Sequence, residues 1–182
     1  MPASGRVHDR AVLDALESFR PEQLEQTVWR VARKGRDPLR GAIANGRWNA
    51  IGEMEVLYTS LERDGALAEV GFRLSLEPVW PSKIEHQIHQ LSIEASKALR
   101  IDELAQLENL GVDVARYQSF DYETTQAIAA AAHFLQFDAL IVPGARHTAT
   151  NLVLFLDHIQ TLPELVSSEA VDWTKWWARG RR

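Results

Sequence analysis

Hydrophobic positions along the chain follow two spacings in turn, and this change of spacing predicts a mixture of helices and strands. In residues 8–19 the apolar positions recur at helical intervals, so we expect an amphipathic helix that Pro21 ends, with a short second helix through Leu24. Residues 27–32 are rich in β-branched and aromatic side chains and predict a strand. Residues 34–46 contain several glycines and a proline, which indicates a loop.

The alternation continues through the rest of the chain. Residues 55–59 predict a strand, and the next apolar pattern predicts a helix that Ser60 caps and that contains Glu69. Residues 84–101 fit both periods, and we interpret them mainly as strand. Helices are predicted at residues 102–110 and 121–136, and apolar strands at 139–142 and 151–156 with the loop PGARHTAT between them. At 182 residues, the chain is expected to form one domain.

Composition narrows the chemistry and the compartment. The chain has no cysteine, which excludes disulfides, thiolate metal sites and a cysteine nucleophile and is compatible with a reducing cytosol. No apolar run approaches the roughly 18 residues that span a bilayer, and the first residues carry charges where a secretory signal would be apolar. The net charge of -5 argues against binding nucleic acid over the whole surface. We therefore expect a cytoplasmic protein that does not enter a membrane.

One segment departs from the acidic average. Residues 30–47 contain the cations Arg30, Arg33, Lys34, Arg36, Arg40 and Arg47 against one acid, Asp37. Such a segment attracts a phosphate-bearing ligand, although a solvated loop with surface arginines has the same composition. Nucleic acid is a weaker alternative, because aromatic residues are not interleaved with this run beyond Trp29 and Trp48.

The candidate chemistry concentrates in residues 45–70. Arg47 offers a rigid fork of donors that suits a phosphate, and Tyr58 offers a flat ring for stacking. Glu69 adds a carboxylate that can face a developing positive charge. Together these side chains suit an enzyme that holds a dinucleotide and stabilises a cationic sugar.

Other motifs in the sequence give weaker evidence of function. His86 and His89 in EHQIH have no further metal ligand at a telling spacing, so we interpret them as surface residues. The C-terminal WTKWWARGRR combines tryptophans with basic residues, and we expect the tryptophans to pack on the core rather than clamp a partner or a membrane. The serine-hydrolase motif GxSxG and the phosphate-loop motif GxxxxGK[ST] are both missing.

Several sequence blocks, taken in order, resemble the RES domain family. These blocks are WRVA ending at Ala32, GRWN at 46–49, VLYTS at 56–60, LAEV at 67–70 and LIVPGARHTATNLVLF at 140–155. The resemblance implies an α+β fold similar to ADP-ribosyltransferases, a single domain with mixed sheets flanked by helices. It also implies a RES-like catalytic domain at residues 27–160, between an N-terminal helical segment at 1–26 and a Trp/Arg-rich segment at 161–182.

The same resemblance implies an activity and partners. Members resemble bacterial toxins of toxin–antitoxin pairs that degrade NAD, so we expect cleavage of the nicotinamide–ribose bond with water or phosphate as acceptor. Carried over, Glu69 is the catalytic acidic residue, Arg30 and Arg47 contact pyrophosphate or ribose, and Tyr58 faces nicotinamide. The late loop at Gly144 completes the binding site. NAD is then the substrate, and no metal is needed. The implied partner is an antitoxin with a helix-turn-helix domain, through which nucleic acid is contacted indirectly, and a homo-oligomer stays open.

One position departs from the family pattern. The family has proline, serine and alanine in the late loop, where this chain has Pro143, Gly144 and Ala145. With Gly144 at the serine's place, the hydroxyl is absent, and Ser60 and Ser82 lie elsewhere in the chain. Three outcomes stay open: an attenuated enzyme, an active one in which water replaces the hydroxyl, or an inactive binding module. Transfer of ADP-ribose to a protein is an alternative to hydrolysis or phosphorolysis.

Overall fold

The computed structural model describes residues 7–81 and 83–180, so Ser82 and the ends of the predicted terminal segments, residues 1–6 and 181–182, lie outside the described residues. The helices are α1 (Arg10–Glu17), α2 (Arg63–Ser75), α3 (Leu104–Asn109), α4 (Glu123–Phe134) and α5 (Trp173–Arg179), with a 3-10 turn at Val114–Arg116. The strands are β1 (Glu22–Arg33), β2 (Val56–Ser60), β3 (His86–Arg100), β4 (Ala139–Pro143), β5 (Thr150–Phe155) and β6 (Glu164–Ala170). Among the described residues, no helix is both long and apolar enough to cross a membrane.

The strands form one mixed sheet that closes on itself. Their order is β1-β2-β5-β4-β3-β6, and β1 also pairs with β3, so five strands form a ring of pairings. The long strand β3 joins the parts, because it pairs antiparallel with β1 and β6 and parallel with β4. This arrangement, with helices outside the sheet, confirms the predicted single α+β domain.

The central strands are buried on both faces. On β5, Val153 and Phe155 pack in a cluster with Ile128 of α4, whereas Leu152 and Leu154 pack in a second cluster inside the ring. Successive side chains of a strand point to opposite faces, so an unbroken apolar run fills two cores at once. The apolar sequence of this strand therefore predicts its central place.

The C-terminal helix packs against α2. Trp173 is buried in a third cluster with Leu67, and the partly buried Trp176 packs against that cluster. A Cβ at Gly71 of α2 would lie 3.3 Å from the ring of Trp173, so a glycine lets the two helices approach closely. Packing of the tryptophans on the core was predicted and is confirmed for Trp173, while Trp177 stays partly exposed.

Local predictions differ from the structure at three places, and strand β6 is a further element that was not predicted. No second helix runs to Leu24, because β1 begins at Glu22 and pairs with β3. Ser60 ends β2 and does not cap α2, whose N-cap is Glu62.

The third place is the EHQIH segment. His86 and His89 are not surface residues, because they are only 6% and 2% exposed. The indole N–H of Trp173 donates to Nδ1 of His86 at 3.2 Å, and Nδ1 of His89 lies 2.8 Å from Oγ of Ser168. Both histidines are covered by β6 and α5, which the apolar periodicity did not predict.

Candidate active site

A cavity of about 210 Å³ lies between α2, β1, β2 and the loops that precede α4 and follow β4. Its charged lining residues in the described part of the chain are Arg30, Arg47, Arg73, Arg146 and Glu69. Tyr58 also lines it, so four of the five predicted site residues meet in one place. Four cations against one carboxylate make the cavity positive, which favours an anionic ligand.

Arg30 lies on β1 and reaches across to β2. Its guanidinium donates to the backbone oxygens of Tyr58 and Arg40, both at 3.1 Å. Nε of Arg30 is buried and has no hydrogen-bond partner among the described residues. Burial lowers the pKa of Arg30, and the nearby charge of Arg73 lowers it further. An anion in the cavity would therefore relieve both the desolvation and the repulsion of this guanidinium.

Arg47 is held between aromatic rings. Its guanidinium carbon lies 4.7 Å from the centroid of the Tyr117 ring and 4.8 Å from that of Tyr122, and one nitrogen donates to the backbone oxygen of Ser119 at 3.2 Å. The hydroxyl of Tyr117 in turn donates to the backbone oxygen of Pro143 at 2.8 Å. The cation is thus fixed by contacts that leave its charge unneutralised.

Tyr58 is fixed through its hydroxyl. This oxygen accepts from the backbone N–H of Trp48 at 2.9 Å and donates to Oδ1 of Asn49 at 2.7 Å. Nδ2 of the buried Asn49 donates to the backbone oxygen of Ala44 at 2.8 Å, which ties the GRWN turn together. Burial raises the pKa of Tyr58 above its usual range. Since the hydroxyl is occupied, the ring itself is what Tyr58 can offer a ligand.

Glu69 connects α2 to the late part of the chain. Its Oε1 accepts from the backbone N–H of Ala145 at 3.2 Å and from Nδ2 of Asn151 at 3.4 Å. These donors come from the loop after β4 and from β5, so the carboxylate is positioned by two separate elements. A carboxylate held in this way is preorganised to face positive charge in the cavity.

Gly144 does not line the cavity, although Pro143 and Ala145 on either side do. Its backbone N–H donates to the backbone oxygen of Ala149 at 2.8 Å. A Cβ at this position would lie 2.7 Å from that oxygen and 2.9 Å from the oxygen of His147. A side chain here therefore requires the backbone to move, so the loop lacks room for a hydroxyl as well as the hydroxyl itself.

Arg73, Arg146 and Asn151 also line the cavity and were not predicted as site residues. Arg73 follows Glu69 by one helical turn, a spacing that could have identified it. Arg146 lies in the late loop, and burial lowers its pKa, with the charge of Arg47 as the second cause. Asn151 is a polar residue at the start of an apolar strand, and its Oδ1 is buried without a hydrogen-bond partner among the described residues.

One group of possible metal ligands in the described part of the chain lies outside the cavity. In the described ranges, side chains close enough to share a metal ion are His133, Asp157 and His158, none of which lines the cavity. The rings of the two histidines stack at 3.9 Å with 16° between their planes, and Nδ1 of His158 lies 2.8 Å from the backbone oxygen of Phe137. Two parallel rings do not direct their nitrogens at one point, so this arrangement is a stack rather than a formed metal site.

Comparisons with known proteins agree with the fold. The family model of the RES domain matches residues 27–174. A protein of Mycobacterium tuberculosis named "Probable NAD(+) phosphorylase" is 36% identical over 109 residues, which cover 60% of this chain and 50% of that protein. The chain spans about half the length of this relative. A chain in the crystal structure of the M. tuberculosis MbcT–MbcA toxin–antitoxin complex matches with a TM-score of 0.82 at 18% identity, covering 93% of this chain and 97% of that one.

Proposed function

The chain belongs to the RES domain family, and from this premise we propose that it cleaves the nicotinamide–ribose bond of NAD, with water or phosphate as acceptor. The observation that carries the proposal is the meeting of Arg30, Arg47, Tyr58 and Glu69 on one cavity. The relative named as an NAD(+) phosphorylase supports the choice of substrate.

The arginines and the carboxylate have separate tasks in this reaction. Arg30 and Arg47 hold the pyrophosphate, while the ring of Tyr58 packs against nicotinamide. Nicotinamide leaves with the electron pair of the C–N bond and becomes neutral, and the ribose becomes an oxocarbenium-like cation. Glu69 stabilises this cation, and the acceptor oxygen then bonds to the ribose carbon and, in the case of water, loses a proton.

Asn151 connects Glu69 to the substrate. Its Nδ2 points to Glu69, which can only accept, so Oδ1 is the free acceptor of the amide. A buried acceptor without a partner is costly, and a hydroxyl of the ribose next to Glu69 would satisfy it. Asn151 therefore has two tasks: its Nδ2 orients the carboxylate of Glu69, and its Oδ1 binds the sugar.

Nicotinamide release from NAD by the purified protein tests the activity. We expect Glu69→Gln to lower the rate at least about 100-fold, because a preorganised polar contact to the transition state is lost. Glu77→Gln, an exposed glutamate just beyond the same helix, is the matched control and should turn over NAD normally. Equal release by the wild type and Glu69→Gln would contradict the proposal, and no release by either would favour an inactive binding module.

The acceptor follows from the products. With phosphate in the buffer, ADP-ribose 1-phosphate indicates phosphorolysis and free ADP-ribose indicates hydrolysis. With NAD labelled in the adenylate half, label on a protein band would instead assign transfer of ADP-ribose to a side chain.

We further propose that the activity makes the protein a toxin that acts in the cytoplasm, neutralised by an antitoxin with a helix-turn-helix domain. The similarity in fold to a chain of a toxin–antitoxin complex supports this proposal. Expression in bacteria should deplete NAD and arrest growth, whereas Glu69→Gln should permit growth. Growth arrest by both variants would show that toxicity does not depend on this chemistry.

A further inference from the structure

The cavity is small for a whole dinucleotide. Its volume of about 210 Å³ compares with the roughly 300–1,000 Å³ of pockets that enclose most of a drug-sized ligand. If Glu69 and Tyr58 receive the nicotinamide riboside end, the pyrophosphate and the second nucleoside must extend toward the mouth of the cavity. The side chains at the mouth therefore decide what lies at the other end of the ligand.

In this direction one guanidinium stacks over two aromatic rings. The guanidinium carbon of Arg146 lies 3.7 Å from the centroid of the Phe72 ring and 5.4 Å from that of Phe120. The two phenylalanine rings are 6.5 Å apart and tilted by 31°, and Tyr122 meets Phe120 edge-on at 6.3 Å. We call the surface formed by Phe72, Phe120 and Arg146 the aromatic platform.

The platform has unused stacking capacity. Phe120 is 62% exposed although it lines the mouth of the cavity, so much of its ring has no protein partner. Exposed ring and guanidinium faces are what proteins use to stack nucleobases, and such stacking depends little on which base is present. The arginines deeper in the cavity supply the pyrophosphate contacts that join the two halves of a dinucleotide.

We propose that the aromatic platform is a binding subsite for the purine base of a dinucleotide. This inference rests on the proposed function for the position of the nicotinamide end. The ring faces of Phe72 and Phe120 stack on a base without contacting the polar groups at its edge. Nicotinamide guanine dinucleotide should therefore serve about as well as NAD.

Binding of fragments tests the subsite without relying on turnover. Calorimetry with ADP and with inorganic pyrophosphate compares probes with and without the purine nucleoside. Phe120→Ala should weaken ADP binding about tenfold, since stacking on one ring is removed, and should leave pyrophosphate binding unchanged within about twofold. Phe134→Ala, an equally exposed phenylalanine at 59% that does not line the cavity, should change neither.

Turnover gives a second, independent comparison. Phe120→Ala should lower kcat/KM for NAD about tenfold but not kcat/KM for nicotinamide mononucleotide, which lacks the purine. An equal loss with both substrates would place nicotinamide on the platform and overturn the proposal. Loss of both ADP and pyrophosphate binding, or of neither, would overturn it as well. A wild type that binds ADP in the predicted pattern but leaves NAD intact would instead refute the proposed function and retain the subsite.

Discussion

The two sides of the cavity are held in different ways. On the early side, the hydroxyl of Tyr58 bonds to Trp48 and Asn49, so buried side chains hold the GRWN turn. On the late side, the main chain of Gly144 bonds to Ala149, and the carboxylate of Glu69 on α2 accepts from the main chain of Ala145. A side held by side chains leaves its signature in residue types, whereas a side held by the main chain does not.

The largest effect is expected from Gly144→Ser on the late side. The added Cβ would overlap the backbone oxygens of His147 and Ala149, and the loop must shift to admit it. We expect NAD turnover to fall about 100-fold, because the N–H of Ala145 would no longer position Glu69.

Nicotinamide release measures this loss. Gly180→Ser is the control, since a Cβ there would lie 3.9 Å from the backbone oxygen of Trp177, an ordinary van der Waals contact. A gain of activity in Gly144→Ser would mean that only the hydroxyl is missing from the loop.

Tyr58→Phe tests the early side. The backbone N–H of Trp48 and the buried Oδ1 of Asn49 would both lose their partner. We expect the free energy of unfolding to fall by about 1–3 kcal/mol, measured by urea denaturation. Tyr122→Phe is the control, because its hydroxyl makes no hydrogen bond to the described residues. Equal stability of the two variants would contradict the contrast between the sides.

Asn151→Ala sharpens the comparison within the late side. Removal of the amide takes one donor from Glu69 while the N–H of Ala145 remains. We expect kcat to fall about tenfold, since a hydrogen bond to a charged group contributes about 1.5 kcal/mol or more. Asn109→Ala, at the exposed end of α3, is the control. An unchanged kcat with a raised KM would show that Asn151 binds substrate without orienting the carboxylate.

The smallest expected effect is a change in how the free energy of unfolding depends on pH, through a histidine beside Arg30 on the early side. His89 pairs with Arg30 across β1 and β3, and burial, followed by the charge of Arg30, lowers the pKa of His89. Between the lowered pKa of the folded chain and the ordinary pKa of the unfolded chain, His89 is protonated in the unfolded chain and neutral in the folded chain. Stability from this group is complete above about pH 6.5 and is lost as the pH falls toward the lowered pKa.

Replacement of His89 should reduce this dependence. In His89→Gln the free energy of unfolding should fall less steeply with acidification, by at most about 1.4 kcal/mol per pH unit. Part of the slope should remain, because burial lowers the pKa of His86 too. An unchanged slope would show that His89 does not contribute.

Residue types and spacing were sufficient for most elements and for the early side of the site. The strand around Arg30 follows from its β-branched and aromatic residues, and the helix around Glu69 follows from apolar periodicity. β6 was missed because all seven of its residues are exposed, so no alternating apolar pattern marks it. The buried histidines were misplaced because their cover, β6 and Trp173, comes from far along the chain.

The late side of the cavity could not be predicted from the sequence, for a different physical reason. The sequence shows that Gly144 has no hydroxyl. It does not show that a side chain at this position would collide with two backbone oxygens further along the loop. The contact of Asn151 with Glu69 forms because β5 lies beside a helix that comes much earlier in the chain. Pairings of this kind arise from the closure of the sheet and have no local signal.

The contact of α5 with α2 at Gly71 also bears on the order in which parts of the chain fold during translation. Trp173 covers the helix that carries Glu69, yet it is translated long after that helix. The donors that hold the carboxylate, Ala145 and Asn151, are also translated late. These contacts of Glu69 and of its helix therefore form in a nascent chain only after residues 145–173 have been translated, well after the first strands.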